Sequence, residues 1–319
     1  MKGVNTIAAL AAAVSRKQTP SRLGHARLGR ARLGHKAGLL LAAVVTGLTL
    51  SLSAHAANPN QGKMFKVAAD VGLVPFFMRG TDGKMDGFSN ELSQEVAQRM
   101  GYDGAEVIDT PFSAIFAGLF SSRYDMVAAP TNTTQERAQQ MLFAEPYMAG
   151  GLSFLAKKGA TVNSLEDLKG KTIAVNNGSF SDRWLQDNQE KYGYKIQRFN
   201  KNTDAVQAVA IGRAFANMSE TPLARYIATQ TPALAPVYDM TTEANYAFAF
   251  RKDDTALRNR VDEVLECMKQ DGALSKLHVK WFGTEPNAGT AMTVIFPGYG
   301  VPDFPGYEPT EHTPDCSRP

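Results

Sequence analysis

The stretch Asp125-Met-Val-Ala-Ala-Pro-Thr-Asn-Thr-Thr-Gln-Glu-Arg137 puts a short apolar strand, a polar turn and an arginine-bearing helix start within 13 residues. Thr133 stands three residues before Glu136, the spacing of a capping box, which predicts a helix that begins within a residue or two of Thr134. Free backbone N–H groups, the positive end of a helix dipole and the Arg137 guanidinium would then share one small volume. Such a volume suits an anion the size of a carboxylate. An ordinary cap with a surface arginine has the same spacing, so the surrounding elements must decide between the two.

Those elements alternate. From residue 64 onward, short β-rich runs and amphipathic helices follow one another in two blocks. The first block has strands at Met64–Ala69, 106–108 and 125–129, with helices over 91–100 and Phe112–Phe120 and the capped helix after Thr133. The second has strands at 172–175, 196–198 and 214–218, with helices from about Asp182, over 203–211 and from Pro222. Two βαβαβ units of similar rhythm imply an α/β protein with two parallel-sheet lobes. Apolar, strand-like runs at 143–158 and 245–251 join the blocks, and helical spacing of Val261, Val264, Leu265 and Met268 marks a long helix after the second join. Two crossings imply a discontinuous first lobe, 64–148 plus 245–284, with the second lobe, 149–244, inserted and two strands side by side as a hinge. One large doubly wound sheet is the competing arrangement.

The first 56 residues differ from the rest. They hold eight Lys or Arg, no acid and three Arg-Leu-Gly copies, then an apolar run over 38–53 that ends at Ala54-His55-Ala56. This is the basic, apolar and small-x-small pattern of a secretory signal, which predicts cleavage after Ala56. A nucleic-acid-binding arm is disfavoured by its place directly before an export signal, and no cysteine follows the apolar run to carry a lipid. Without the leader, 26 basic residues face 31 acidic ones, so the formal charge changes from +3 to about −5.

Cys267 and Cys316 are the two cysteines. In an oxidising compartment a pair is expected to form a disulfide. It would tie back a tail, 285–319, that holds 7 of the 16 prolines and repeats Pro-Gly-Tyr at 297–299 and 305–307. The tail is expected to wrap the body, with a partner surface as the alternative. Glu311, His312, Asp315 and Cys316 match no metal-ligand spacing, and no metal or other cofactor is expected.

In open parallel sheets ligands bind beyond the carboxyl ends of the strands. Those ends are polar here: Asp70 after the first strand, Thr131 and Asn132 after the third, Asn176-Asn-Gly-Ser-Phe-Ser-Asp182 and Asn217-Met-Ser-Glu-Thr-Pro222 in the second block. Together with Val67-Ala-Ala-Asp70, Asp82-Gly-Lys-Met-Asp-Gly-Phe-Ser-Asn-Glu-Leu92, Tyr124-Asp-Met-Val, Phe143-Ala-Glu-Pro-Tyr147, Ser164-Leu-Glu-Asp-Leu-Lys-Gly-Lys171 and Lys280-Trp-Phe-Gly283, the chain resembles the family 3 extracellular solute-binding proteins, the amino-acid receptors of bacterial ABC importers. The resemblance covers about residues 64–284 and rests on six motifs in order.

The resemblance implies a two-lobed type II periplasmic binding protein fold and a ligand-binding set. Arg137 would pair with a ligand α-carboxylate, and Ser179, Phe180 and Ser181 would offer hydroxyls and backbone N–H groups to it. Glu220 would take the α-ammonium, in place of the family's usual Asp. Asp70, Leu73, Phe112, Ala129, Thr131 and Asn132 complete the set, with Leu73 where an aromatic is common. Asp70 and Glu220 against Arg137 tilt the expectation toward a polar or cationic amino acid. The expected protein is a periplasmic, monomeric, non-enzymatic receptor that docks with an inner-membrane permease and has no nucleic-acid role. The alternatives are a cyclohexadienyl dehydratase-like enzyme, which needs a desolvated acid in the cleft, and a periplasmic scaffold.

Overall fold

The computed structural model describes residues 58–317; the expected leader and its cleavage point lie outside the described residues. The chain runs β1 (Met64–Ala69), a small hairpin of β2 (Met78–Arg79) and β3 (Met85–Asp86), α1 (Phe88–Arg99), β4 (Gly104–Asp109), α2 (Phe112–Phe120), β5 (Met126–Asn132) and a short α3 (Gln135–Ala138). It continues through β6 (Leu142–Phe143), β7 (Met148–Ala149), β8 (Leu152–Lys157), β9 (Thr172–Asn176), α4 (Phe180–Tyr192), β10 (Lys195–Phe199) and α5 (Asn202–Ala210). Then follow β11 (Ala216–Glu220), α6 (Thr221–Gln230), β12 (Leu234–Met240), β13 (Asn245–Phe250), α7 (Thr255–Gln270) and α8 (Ala273–Phe282).

Two separate sheets result, one per lobe. The first orders its strands β4-β1-β5-β13-β6 with β7 against β13, and the second β10-β9-β11-β8-β12. In the first, β1 pairs in parallel with β4 and β5, and β13 returns antiparallel. In the second, β9 pairs in parallel with β10 and β11, while β8 and β12 are antiparallel. The chain leaves the first sheet after β7 and returns at β13. There Met148 faces Tyr246 and Ala149 faces Asn245 in an antiparallel pair.

The apolar periodicity explains the packing. Every residue of β5 is buried, as expected of a central strand covered on both faces. Ile115 and Leu119 of α2, four residues apart, face the first-lobe core, and so do Val261, Val264, Leu265 and Met268 of α7. The second sheet has a core on each face, around Leu152, Phe154 and Leu185 on one side and Ala205, Val209 and Ala224 on the other. Strand β12 and the β2–β3 hairpin were not expected from the sequence. Pro236 hides β12, yet a proline is tolerated on an edge strand, and the ladder shifts register between Pro236 and Tyr238.

The tail packs on α7 and the β6 edge. Cys267 and Cys316 form a disulfide. Arg258, 1% exposed, donates to the Gly306 carbonyl at 3.0 Å and pairs with Glu308 at 3.0 Å. One turn on, Asp262 accepts from the backbone N–H of Gly300 (2.6 Å) and of Glu145 (2.7 Å). Gly300 lies at φ +87°, and an added Cβ would come within 2.5 Å of the Arg258 guanidinium, so only glycine fits the strap there. Lys269 and Glu145 form a buried pair at 2.9 Å, and His312 meets Glu266 at 2.9 Å.

These buried acids couple stability to pH. Burial raises the Glu145 carboxyl to about 7, with Lys269 pulling it down, and burial also raises Asp262 and Glu266. The folded state then holds these protons more tightly than the unfolded chain does. The contribution of Glu145 is full below the ordinary glutamic value of 4.5 and is lost as pH rises through about 7, and the other two acids act in the same direction. The urea midpoint is therefore expected to fall between about pH 5 and about pH 8, and the fall should be shallower in Glu145→Gln. Equal slopes in the two proteins would contradict this.

Candidate functional site

The carboxyl ends of four strands meet between the lobes. Asp70 follows β1, Asn132 ends β5, Asn176 ends β9 and Glu220 ends β11, and all four are buried. Leu73, Phe112 and Pro130 of the first lobe and Asn176, Ser179, Ser181, Asn202, Met218, Ser219 and Glu220 of the second enclose a cavity of about 10 Å³. That is the room of roughly one water. A ligand of amino-acid size enters only by parting the lobes and moving side chains. Gly178 shows how close they stand: at φ +76°, a Cβ there would lie 3.1 Å from Ser113 Cα across the cleft.

Arg137 sits one residue before the end of α3. Helix α3 has only four residues and is capped by Thr134, whose hydroxyl accepts from the Arg137 N–H at 3.2 Å. The expected Thr133–Glu136 box is not formed, because the Thr133 hydroxyl faces β13 and accepts weakly from the Asn245 N–H at 3.4 Å. So short a helix has little dipole, and the anion-attracting group is the arginine itself. Its guanidinium donates to the Asn132 carbonyl at 2.9 Å and lies 5.6 Å and 5.2 Å from the ring centres of Phe112 and Phe116. Among the described residues no carboxylate lies within 4.0 Å of it. Burial lowers its pKa to about 10, which leaves it cationic at neutral pH. Ring contacts of this kind contribute about 0.5–2 kcal/mol, less than the several kcal/mol that desolvating an ion costs.

Glu220 supplies the opposite charge from the second lobe. Burial raises its pKa, against the pull of its own backbone N–H and of Arg137. Its one cross-cleft side-chain bond is a long one, from Asn132 Nδ2 at 3.4 Å. Ser181 also pulls the Glu220 pKa down, and around the pair Asn132 Oδ1, Asn176 Oδ1, Asn202 Nδ2 and Ser219 Oγ are buried without a hydrogen-bond partner. Buried polar atoms are ordinarily paired, each orphan costing about 1–3 kcal/mol. Four in one cleft form a polar surface that lacks its counterpart.

Of the expected residues, Leu73, Phe112, Ser179, Ser181 and Glu220 line the cavity. Ser179 caps α4, accepting from the Asp182 N–H at 3.1 Å, and Phe180 packs on the second-lobe core. Ala129 and Thr131 stay inside β5, where the Thr131 hydroxyl donates to the Ala129 carbonyl at 2.9 Å. Arg137 and Phe180 instead border an outer cleft of about 480 Å³ with Glu136 and Arg183. Asp70 does not line the cavity either. Its carboxylate accepts from the Phe112 N–H (3.2 Å) and Asn176 Nδ2 (2.9 Å) and pairs with Lys201 Nζ at 2.8 Å. Sequence reasoning passed over Lys201, Asn202 and Ser219. The strand-end rule, applied to β10 as to its neighbours, would have found the first two.

A model of the bacterial extracellular solute-binding proteins, family 3, matches residues 65–284. The L-cystine-binding protein TcyJ of Escherichia coli (strain K12) is 29% identical over 254 residues, covering 78% of this chain and 94% of its own. The arginine-binding extracellular protein ArtP of Bacillus subtilis (strain 168) is 31% identical over 251 residues, covering 77% and 97%. Among solved structures, an ancestral arginine-binding protein bound to arginine matches with a TM-score of 0.67 at 30% identity, covering 71% of this chain and all of that one. These relatives are solute-binding proteins, not enzymes.

The Gly178 contact gives a test of closure. Gly178→Val is expected to wedge the lobes apart, read as a larger radius of gyration by small-angle scattering at unchanged molecular mass. An unchanged radius would mean that the lobes do not meet there in solution.

Proposed function

Because the chain belongs to the bacterial extracellular solute-binding proteins, family 3, we propose that it is the periplasmic binding component of an ABC importer for a polar amino acid or close analogue. The observation that carries this reading is the pairing of Arg137 and Glu220, opposite charges from opposite lobes, with no ion pair between them and orphaned polar atoms around them. An α-carboxylate would take the guanidinium, with Ser179 of the second lobe bordering both the cavity and the cleft that Arg137 faces, and an α-ammonium would take Glu220. Ligand and both lobes then neutralise one another only when the cleft is shut. Binding therefore draws the population toward the closed form.

In this reading the leader is removed after Ala56, the mature chain works as a monomer in the periplasm, and the closed form docks with an inner-membrane permease. No cofactor is involved. Leu73, Phe112 and Asn132 shape the rest of the site from the first lobe, with Ala129, Thr131 and Phe180 supporting it.

The raised pKa of Glu220 supports a second reading, a dehydratase-like general acid on the same scaffold. That role would remove the partner proposed for the ammonium, and the residues that follow, Pro222 and Leu223, bring no second carboxylate.

A thermal-shift panel of amino acids, with prephenate and arogenate included, separates the readings. One or more amino acids should raise the midpoint, and Arg137→Ala should cost that ligand about 2–5 kcal/mol by calorimetry. A ligand whose affinity survives Arg137→Ala would remove the arginine from the site, and turnover of prephenate or arogenate would replace receptor with enzyme.

A further inference from the structure

We propose that Lys201 sets the specificity of this cleft: its ammonium occupies the Asp70 carboxylate, the acid available to a cationic side chain, and restricts the site to amino acids with uncharged polar side chains. The inference rests on the amino-acid receptor reading above.

Lys201 belongs to the second lobe, at the residue before α5, and Asp70 to the first. They meet across the cleft at 2.8 Å, and the same ammonium lies 2.6 Å from Asp109 at the end of β4. Asp70 is fully buried, and its other oxygen is filled by the Phe112 N–H and the Asn176 amide. Burial alone would lower the lysine pKa, but Asp109 and Asp70 together raise it, so the ammonium stays charged. Asp109 keeps 45% of its side chain exposed and remains solvated.

The charges of the closed cleft therefore cancel in two pairs, Asp70 with Lys201 and Glu220 with Arg137. A zwitterion with a neutral side chain leaves the sum at zero. A guanidinium or second ammonium would bring a charge into a volume with no free acid, and burying an unpaired ion is strongly disfavoured. To reach Asp70 it would first have to break both contacts of Lys201. The cavity wall instead offers a free acceptor, Asn176 Oδ1, and a free donor, Asn202 Nδ2. One acceptor and one donor complement a carboxamide.

Calorimetry with glutamine, asparagine, arginine and lysine on the wild type, Lys201→Met and the Asp70→Asn/Lys201→Met double variant tests the inference, with thermal midpoints as the check on folding. The wild type should prefer a carboxamide, and Lys201→Met should tighten arginine or lysine by at least about tenfold. The double variant should lose that gain. Lys201→Gln, closer in polarity, should shift preference in the same direction. A wild type that binds arginine or lysine as tightly as glutamine and asparagine, or variants with an unaltered preference, would overturn the role of Lys201 while leaving the receptor reading intact. If no amino acid binds any of these proteins, the receptor reading falls and takes this inference with it.

Discussion

A half-buried guanidinium packed on two aromatic rings, without a carboxylate against it, has given up hydration that nothing repays, and the cleft is organised around that cost. Arg137 has one carbonyl and two ring edges or faces for company, and Glu220 has a single long amide contact from the opposite lobe. Each ion gives up hydration, and with no ion pair formed between them their mutual attraction recovers only part of it. A small molecule that carries both opposite charges on one carbon completes both. The fold must hold the two ions on separate rigid bodies, or they would satisfy each other directly.

The architecture does this with two sheets joined by two chain crossings, out after β7 and back at β13, which lie side by side as an antiparallel pair in the first sheet. Arg137 sits in α3, just after β5 of one sheet, and Glu220 ends β11 in the other. Asp70–Lys201, Asn176–Asp70 and the exposed Arg183–Glu136 pair add cross-cleft contacts that need no ligand. The exposed pair contributes little, because solvent screens it. The contact of Lys201 with buried Asp70 matters more, since it both closes the cleft and fixes which charges are left for a ligand. Far from the cleft, the tail holds α7 through Arg258, Asp262 and Glu266, so the body that carries β13 is stiffened independently of ligand.

Much of this was legible in the chain. Apolar periodicity placed α2 and β1 to the residue and located α7, because those elements face a core and show it every second or every third and fourth residue. What failed was chemistry decided by three-dimensional neighbours. Thr133 and Glu136 have capping-box spacing, but the Thr133 hydroxyl turns to Asn245, 112 residues away, and Thr134 caps instead. Asp70 read as a free acid because nothing near it in sequence announces Lys201. Asp109 joins the same ammonium from a third strand, another pairing that spacing cannot reveal. Strand β12 carries Pro236, and only its place at the sheet edge tolerates a residue that cannot donate to the ladder.

The zwitterion requirement has a direct chemical probe. Once the preferred amino acid is found, calorimetric titration with the matching amine, which lacks only the α-carboxylate, and with the N-acetylated acid, which lacks only the ammonium charge, isolates each half. Loss of at least about 100-fold in affinity for both analogues is the expected result, since each leaves one buried ion unpaired. If either analogue binds as tightly as the parent amino acid, the cleft does not work as a paired clamp on opposite charges.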